Sequence, residues 1–279
     1  MSAQHPRISP FLRVYGTGLV SSLDGVPDMA RTASRLSTLT IPPSATADIT
    51  QLQDLIPPHA LRRIPHYARM GMAAAKQALQ ALPAHVKQSD LGLIIATAHA
   101  GQKMGLDFMD SIIDGGPRLS SPTAFTHAVN NMGAGLISLY FGIQGPCCTI
   151  TQFSLSFAGA LQAASIMLYC AHAPLVLLGC IDERDTRFIS TCAAHAGHVD
   201  EGAAFFLLGK ADGTRPEVAV SWGASAPQDD VSPSPNDACE ISSLALAINT
   251  LSALQTQSAA RLAFTSSAYG RQAVIHVHV

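Results

Sequence analysis

The segment Thr149–Ala158 has the pattern of a short strand, a sharp turn and an apolar helix, with Ser154 at the turn. This arrangement presents one side chain at a helix N-terminus, where free N–H groups and the helix dipole stabilise a thiolate or an oxyanion. The same strand–turn–helix geometry is found in a nucleophile elbow. A serine hydroxyl is a poor nucleophile without an adjacent base, and a thiolate is far better at neutral pH. We therefore expect the shape of the turn, rather than serine chemistry, to explain Ser154.

Two nearby polar residues bear on this turn. Gln152 stands just before it and is expected to pack or to form hydrogen bonds in the strand, although it could line the site. His127 could be read as a base for Ser154, but no third residue is evident that would orient it. Catalysis by this pair is therefore not the favoured interpretation.

The other reactive side chains do not complete a catalytic set. Cys147 and Cys148 lie at the wrong end of the strand to replace Ser154, and none of the six cysteines forms a CxxC pair. The last histidines, His276 and His278, alternate along a terminal strand and are expected to be ordinary strand residues. We expect no disulfide framework in such a large chain.

Metal and cofactor sites are not expected. The charged run Asp182–Asp185 follows a buried strand and is predicted to be a solvated loop. His195 and His198 lie near Cys192, but no second cysteine with regular spacing accompanies them. The sequence therefore predicts no metal ion and no cofactor.

The composition favours contact with another subunit. Of the 279 residues, 48% are hydrophobic and only 13% are charged, so the chain is expected to bury extra surface against a partner. The net charge of −2 points to neither nucleic acid nor anionic lipid. No apolar run reaches the roughly 18 residues that span a bilayer, and the N-terminus lacks a signal-peptide pattern, so a cytoplasmic location is expected.

Strands and helices alternate along the chain, which favours an α/β fold with a mainly parallel sheet and helices on both faces. The helix after the turn is apolar almost all round and should lie between two layers. Ser121–Phe125 is predicted to be a turn or an irregular loop. Strands are predicted at Phe11–Val20, Leu91–Thr97, Cys147–Thr151, Pro174–Ile181, Ala203–Lys210, Leu262–Ser266 and Ala273–Val279; helices are predicted at Arg62–Leu82, Met104–Ile113, Asn131–Phe141, Leu155–Tyr169 and Glu240–Leu254.

Several ordered motifs together resemble the N-terminal half of the β-ketoacyl synthase family. The family has an SP-x-x-F-like loop, an Asn-led helix start, a Gly-Pro turn and then a strand that ends in the nucleophilic cysteine. The corresponding segments here are Ser121–Phe125, Asn130–Gly135, Gly142–Pro146 and Thr149–Ala158, with further matches at Val14–Leu23, Leu61–Arg63, Gly179–Glu183 and Asp200–Ala204. The resemblance covers roughly residues 11–210.

This resemblance implies a thiolase-like layered αβα(βα) fold with a shortened C-terminal half. We expect residues 1–279 to form one β-ketoacyl-synthase-like domain. Within it, residues 11–210 would be the N-terminal-half core and residues 211–279 an abbreviated C-terminal remnant.

Two departures from the family argue against independent catalysis. Ser154 stands where the family has its nucleophilic cysteine, and the two histidine motifs that drive decarboxylation, HGTGT-like and GGHN-like, are missing. The resemblance therefore implies a non-catalytic homologue similar to the chain-length factors of type II polyketide systems. Such a subunit would form a heterodimer with an active β-ketoacyl-ACP synthase and shape its acyl channel. Within that group, the sequence looks closest to the partner subunits of aryl polyene pathways.

The same resemblance assigns expected roles to individual residues. Gln152, Phe153 and Ser154 would line the pseudo-active site, and Thr149 and Thr151 would lie in the interface strand. The loop made of Pro122, Thr123, Ala124, Phe125, Thr126 and His127 would cross the dimer interface and close the partner's acyl pocket. Ala124 falls at the pocket floor, where a small side chain would leave a long channel open. Acyl carrier protein would be reached through the complex.

Two other functions stay open from the sequence. The chain could be a serine acyltransferase or thioesterase that acts on acyl-carrier-protein thioesters through Ser154. It could also be a free-standing homodimer that binds acyl carrier protein or a lipid without chemistry. Partner dependence and acylation of Ser154 distinguish these possibilities.

Overall fold

The structure is a computed structural model that describes residues 7–21, 49, 52, 56–183, 185, 201–214, 216–224, 243–257, 260–266 and 271–279. Cys192, Cys239, His195 and His198 lie outside these residues.

The described elements follow the order predicted from the sequence. The strands are β1 (Arg7–Ile8), β2 (Leu12–Ser21), β3 (Gly92–Ala96), β4 (Cys147–Ile150), β5 (Val176–Asp182), β6 (Gly202–Lys210), β7 (Glu217–Ala224), β8 (Ala260–Ser266) and β9 (Arg271–His278). The α-helices are α1 (Pro58–Leu61), α2 (His66–Leu79), α3 (Gln102–Gly115), α4 (Pro122–His127), α5 (Met132–Phe141), α6 (Ser156–Tyr169) and α7 (Ser243–Gln255).

All described strands belong to one sheet, with the order β4-β3-β5-β6-β2-β7-β9-β8 and with β1 paired to β7. The ladders that join β3 to β4 and β3 to β5 are parallel, and helices provide the two connections. Every other ladder is antiparallel. Parallel pairing is thus confined to the three strands at the β4 end, where the predicted site lies.

The sheet curls around two central helices. Helices α6 and α7 contact each other, and both contact β5 and β6 as well as β9. The inward side chains of these strands and helices form one continuous apolar cluster. Helices α2 and α5 pack on the other side of β3, β5 and β6 in a second cluster. The predicted layered α/β architecture, with the apolar helix between two layers, is confirmed.

Local chemistry explains one difference from prediction. Ser121–Phe125 was expected to be irregular, but α4 forms a short helix because Ser121 Oγ accepts a hydrogen bond from the Ala124 N–H at 3.2 Å. Pro122 occupies the first helical position, where its missing N–H does no harm. Serine followed by proline is a signal for the start of a helix, but the segment is so short that a helix was not predicted there.

Within the part of the chain that the structure describes, no helix has the length and apolarity needed to cross a membrane.

Candidate functional site

The predicted elbow connects β4 to α6. The strand ends at Ile150, a single 3₁₀ turn covers Phe153–Leu155, and α6 begins at Ser156. Ile150 O accepts a hydrogen bond from the Thr97 N–H at 3.1 Å, so the end of β3 lies beside the turn. The strand, sharp turn and buried helix predicted from the sequence are therefore present.

A single hydroxyl group holds the turn closed. Ser156 Oγ accepts a hydrogen bond from the Gln152 N–H at 2.8 Å. The same hydroxyl lies 2.8 Å from Thr97 O and 2.7 Å from Phe153 O, either of which can accept its proton. Because Ser156 is fully buried, these bonds are shielded from water and join the elbow to the end of β3.

The backbone of the turn is strained at Phe153. Its φ is +47°, in the left-handed region that residues with a side chain seldom adopt. The residue is 52% exposed, and its phenyl ring meets the His99 ring edge-on at a centroid distance of 6.5 Å. The side chain at the corner of the elbow is therefore an accessible aromatic ring.

Ser154 follows this corner and turns inward. It is only 6% exposed, and its Oγ is buried with no hydrogen-bond partner among the described residues. No base contacts the hydroxyl there, and His127 is not bonded to it. The structure thus places Ser154 in the elbow but does not present its hydroxyl for chemistry.

Gln152 folds back along α6. A Cβ built on Gly159 would lie 2.6 Å from Gln152 Oε1, so the glycine provides the room that the amide occupies. This contact agrees with the packing role expected for Gln152. The residue nevertheless keeps an exposed surface at the mouth of the elbow.

A second turn, after β3, supports the first one. Asp182, at the end of β5, accepts hydrogen bonds from Thr97 Oγ1 at 2.8 Å and from the N–H groups of Ala98 and His99 at 2.9 Å each. Thr97 Oγ1 in turn accepts from the Ala100 N–H at 2.6 Å, and Ala100 has a φ of +50°. Burial raises the pKa of Asp182, and the three donors partly offset that effect.

This support from Asp182 was not predicted from the sequence. The run that begins at Asp182 was predicted to be a solvated loop, and this is wrong for Asp182 and Glu183, which are 2% and 7% exposed. The signal was available, because Asp182 directly continues an apolar strand that is buried throughout. A carboxylate at the end of such a strand must find donors in the neighbouring turns.

Glu183 lies in a mixed cluster of charges. Burial raises its pKa to about 7; His66 and Lys103 oppose that shift, and Glu201 and Asp185 reinforce it. Glu201 Oε1 lies 2.9 Å from His66 Nε2, within hydrogen-bond distance. Across the described residues, no group of three or more metal-ligating side chains is arranged to hold a metal ion.

The predicted interface loop adjoins the elbow. A Cβ on Gly101 would lie 2.9 Å from His127 O, so the end of α4 packs closely on the turn after β3. Asn130 Nδ2 donates to Thr151 Oγ1 at 3.5 Å, which joins the region after α4 to the elbow. The structure thus brings α4 and the residues predicted to line the pseudo-active site together at the carboxyl ends of β3 and β4.

Side chains of α4 point in different directions. Ala124, the predicted pocket-floor residue, is 5% exposed and packs inward, whereas Phe125 is 56% exposed. The Phe125 ring lies 5.3 Å from that of Phe108 on α3. Pro122, Thr123 and Thr126 are also exposed, and His127 is half-buried.

Strand β4 forms one of the two edges of the described sheet. Cys147 and Cys148 are exposed there as free thiols, and Thr151 just beyond the strand is also exposed. Thr149 is half-buried, and its Oγ1 has no hydrogen-bond partner among the described residues. An unpaired edge of this kind is available for pairing with another chain.

The terminal histidines are occupied elsewhere. His276 Nε2 lies 2.8 Å from Ser221 Oγ on β7, and the His278 ring stacks on Phe11 at 4.2 Å. Both residues belong to the β9 ladder, as predicted.

Comparison with known proteins identifies the family. The family model of the beta-ketoacyl synthase N-terminal domain matches residues 38–268. The chain therefore belongs to the beta-ketoacyl synthase family through that domain. No curated protein sequence matches it.

Solved structures show the same fold at low sequence identity. The chain is similar to a chain of the complex of the ketosynthase ApeO with its chain length factor ApeC from Xenorhabdus doucetiae, with a TM-score of 0.69 and 14% identity over 97% of this chain and 100% of that chain. It is similar to the ishigamide ketosynthase/chain length factor, with a TM-score of 0.72 and 15% identity over 96% and 99%. It is also similar to a chain of the AntDE–AntF assembly, a type II polyketide-synthase acyl-carrier protein in complex with its ketosynthase. The TM-score is 0.73 and the identity is 13%, over 97% of this chain and 99% of that chain. The predicted thiolase-like fold is thus confirmed.

Proposed function

We propose that this chain is a non-catalytic, chain-length-factor-like subunit that forms a heterodimer with an active β-ketoacyl-ACP synthase and shapes its acyl channel. The observation that carries the proposal is an elbow without a nucleophile. The chain has a strained turn at the start of α6, as a nucleophile elbow does. The corner of that turn bears Phe153, and the hydroxyl of the following residue, Ser154, is buried. Such an elbow has the shape of a condensing enzyme but not its reactive group.

The structural relatives support this assignment. Of the three structures named above, two contain a ketosynthase with its chain length factor, and one contains an acyl-carrier protein with its ketosynthase. By analogy, we expect acyl carrier protein to meet this chain only as part of such a complex. We place the product class among polyene, polyketide or fatty-acid-like chains, with an aryl polyene pathway as the favoured setting.

The surface chemistry of the described residues supports a partner at the β4 edge. Exposed large apolar side chains concentrate on α3, on α4 and in the segments that follow them, namely Met109, Ile113, Leu119, Phe125 and Val129. A free monomer rarely exposes so many large apolar groups on neighbouring elements. Because α4 also adjoins the elbow, a partner docked on β4 would meet Phe125 and His127 near its own acyl pocket.

A serine acyltransferase or thioesterase is not favoured. Such an enzyme needs a hydroxyl that reaches substrate and a base that takes its proton. Ser154 Oγ is buried and has no partner among the described residues. The geometry thus supplies neither requirement.

The test is condensation by the reconstituted heterodimer. We expect Ser154→Ala to leave the rate of acyl-ACP elongation within about twofold of wild type, since the hydroxyl makes no hydrogen bond whose loss would matter. Replacing the nucleophilic cysteine of the ketosynthase by alanine should abolish elongation and serves as the control. A large loss of activity in the Ser154→Ala complex, with assembly intact, would sink the proposal.

A further inference from the structure

The identity of the side chain at the elbow corner decides what the elbow can bind. In a nucleophile elbow the strained residue projects its side chain off the turn, while its neighbours face the strand and the helix. Between the end of β4 and the start of α6, the described residue with a left-handed backbone is Phe153. The geometric position of a nucleophile therefore falls on Phe153, one residue before Ser154.

Exposure of the two side chains agrees with this assignment. Phe153 is 52% exposed, and Ser154 is 6% exposed. The Phe153 ring projects toward His99, which follows β3, so it stands between the ends of the two neighbouring parallel strands. An acyl thioester that approached the N-terminus of α6 along the corner would meet this ring first.

The strain at the corner is maintained by bonds that do not involve the ring. The Gln152 N–H, Ser156 Oγ and Thr97 O form a buried chain of hydrogen bonds on the inner side of the turn. A second left-handed residue, Ala100, is fixed by Thr97. Because these supports are independent of the side chain at position 153, a different side chain there should keep the same backbone.

We propose that Phe153 is the corner residue of the elbow and that its ring seals this subunit's own elbow against acyl thioesters. The acyl chain is thereby confined to the partner's channel. The choice of acyl thioesters as the excluded ligand rests on the proposed function. The position of Phe153 at the corner of the elbow does not depend on that function.

The first experiment compares thiols at the two positions. Full-length Phe153→Cys and Ser154→Cys variants are treated with iodoacetamide, and peptide mass spectrometry follows each cysteine. We expect the thiol at 153 to react at least about tenfold faster than the buried thiol at 154, because it is accessible to the reagent. Its place at a helix N-terminus should also lower its pKa, and each unit of thiol pKa changes the thiolate fraction about tenfold. Exposed Cys170 in the same sample is the internal standard. Equal rates, or faster reaction at 154, would overturn the assignment of the corner.

The second experiment tests the seal with hexanoyl-coenzyme A. In Phe153→Cys, the thiolate attacks the thioester carbonyl, a new carbon–sulfur bond forms, and coenzyme A leaves as a thiolate that takes up a proton. We expect one acyl adduct at position 153, and none at 153 or 154 in wild type or in Ser154→Cys. If the thiol at 153 is alkylated but never acylated, the ring is not the barrier and the seal is refuted.

Assembly separates this inference from the proposed function. Native mass spectrometry of each variant with the ketosynthase shows whether the heterodimer forms. A variant that assembles normally but reacts at 154 contradicts the corner assignment and leaves the proposed function standing. Circular dichroism confirms that each variant keeps the wild-type fold before labelling.

Discussion

Phe153 carries backbone strain that its own side chain does not relieve. A left-handed conformation costs a residue with a side chain about 1–3 kcal/mol. The buried Ser156 hydroxyl bonds two backbone groups of the turn and reaches the end of β3, so the surrounding structure imposes the conformation. Strain of this kind persists where the surrounding structure fixes the conformation.

Glycine at position 153 should relieve the strain. We predict that Phe153→Gly is more stable than Phe153→Ala by about 1 kcal/mol, because glycine adopts a positive φ without a Cβ clash. Urea unfolding of both variants measures the difference. Comparing glycine with alanine, rather than with phenylalanine, removes the contribution of the ring.

Position 154 provides a matched control, where the stability difference between glycine and alanine should have the opposite sign. Ser154 is not among the described residues with positive φ, so Ser154→Gly should be less stable than Ser154→Ala. The strain account fails if glycine is no better than alanine at 153, or if both positions prefer the same residue.

Glu183 should make stability depend on pH. Burial raises its pKa from 4.5 to about 7, so the folded chain retains a proton that the unfolded chain releases between those values. The free energy of unfolding therefore decreases as pH rises through that interval. Glu183→Gln removes this penalty, and we predict a gain of roughly 1–3 kcal/mol at pH 8 that is largely absent at pH 4.5.

Urea unfolding of wild type and Glu183→Gln at the two pH values measures the effect. Other buried carboxyl groups titrate in both proteins, so the comparison is the difference between the two chains at each pH. An equal difference at pH 4.5 and pH 8 would show that Glu183 does not titrate in this range.

The sequence predicted the elbow but not its internal arrangement. Residue types and spacing were enough to predict a strand, a turn and a buried helix around Ser154. They could not show which residue takes the left-handed corner, because neither phenylalanine nor serine favours positive φ. The burial of Asp182 and Glu183 was also missed, since a charged run is usually solvated and the turn that Asp182 supports belongs to a distant segment.

At the scale of elements, the edge strand β4 is where we expect the partner to dock. Its cysteines, Cys147 and Cys148, are exposed, and both have a raised pKa chiefly because of partial burial. Labelling therefore works best at mildly alkaline pH. We predict that both thiols react with iodoacetamide in the free chain and become strongly protected when the ketosynthase is bound.

Two other cysteines are built-in controls for this footprint. Cys170 is exposed at the end of α6 and should react equally with and without the partner. Cys180 is buried in β5 and should stay unmodified in both samples. Protection of Cys170 but not of Cys147 and Cys148 would place the interface elsewhere.

The short helix α4 shows how far local signals reach. Ser121 and Pro122 explain why a helix starts there, and that could be predicted. The inward packing of Ala124 and the outward position of Phe125 depend on α3, which the sequence alone did not place beside it. The role of this segment in the partner's channel stays a prediction, with Ala124 packed inward and Phe125 exposed.

At the scale of the molecule, the curled sheet accounts for the apolar composition. Helices α6 and α7 both contribute to one continuous apolar cluster with the sheet, and the apolar sequence of α6 predicted a layered fold. The long antiparallel part of the sheet was not evident, because a strand buried on both faces looks alike in parallel and antiparallel ladders. The exposed apolar side chains near β4 form the surface that we expect the partner to cover.

The central claim is that this chain works as the partner of a ketosynthase. Native mass spectrometry of the chain, expressed alone and then with the ketosynthase encoded beside it, tests that claim most directly. We predict a 1:1 heterodimer when the two chains are expressed together, and no stable homodimer when this chain is expressed alone. A stable homodimer that ignores the ketosynthase would contradict the account.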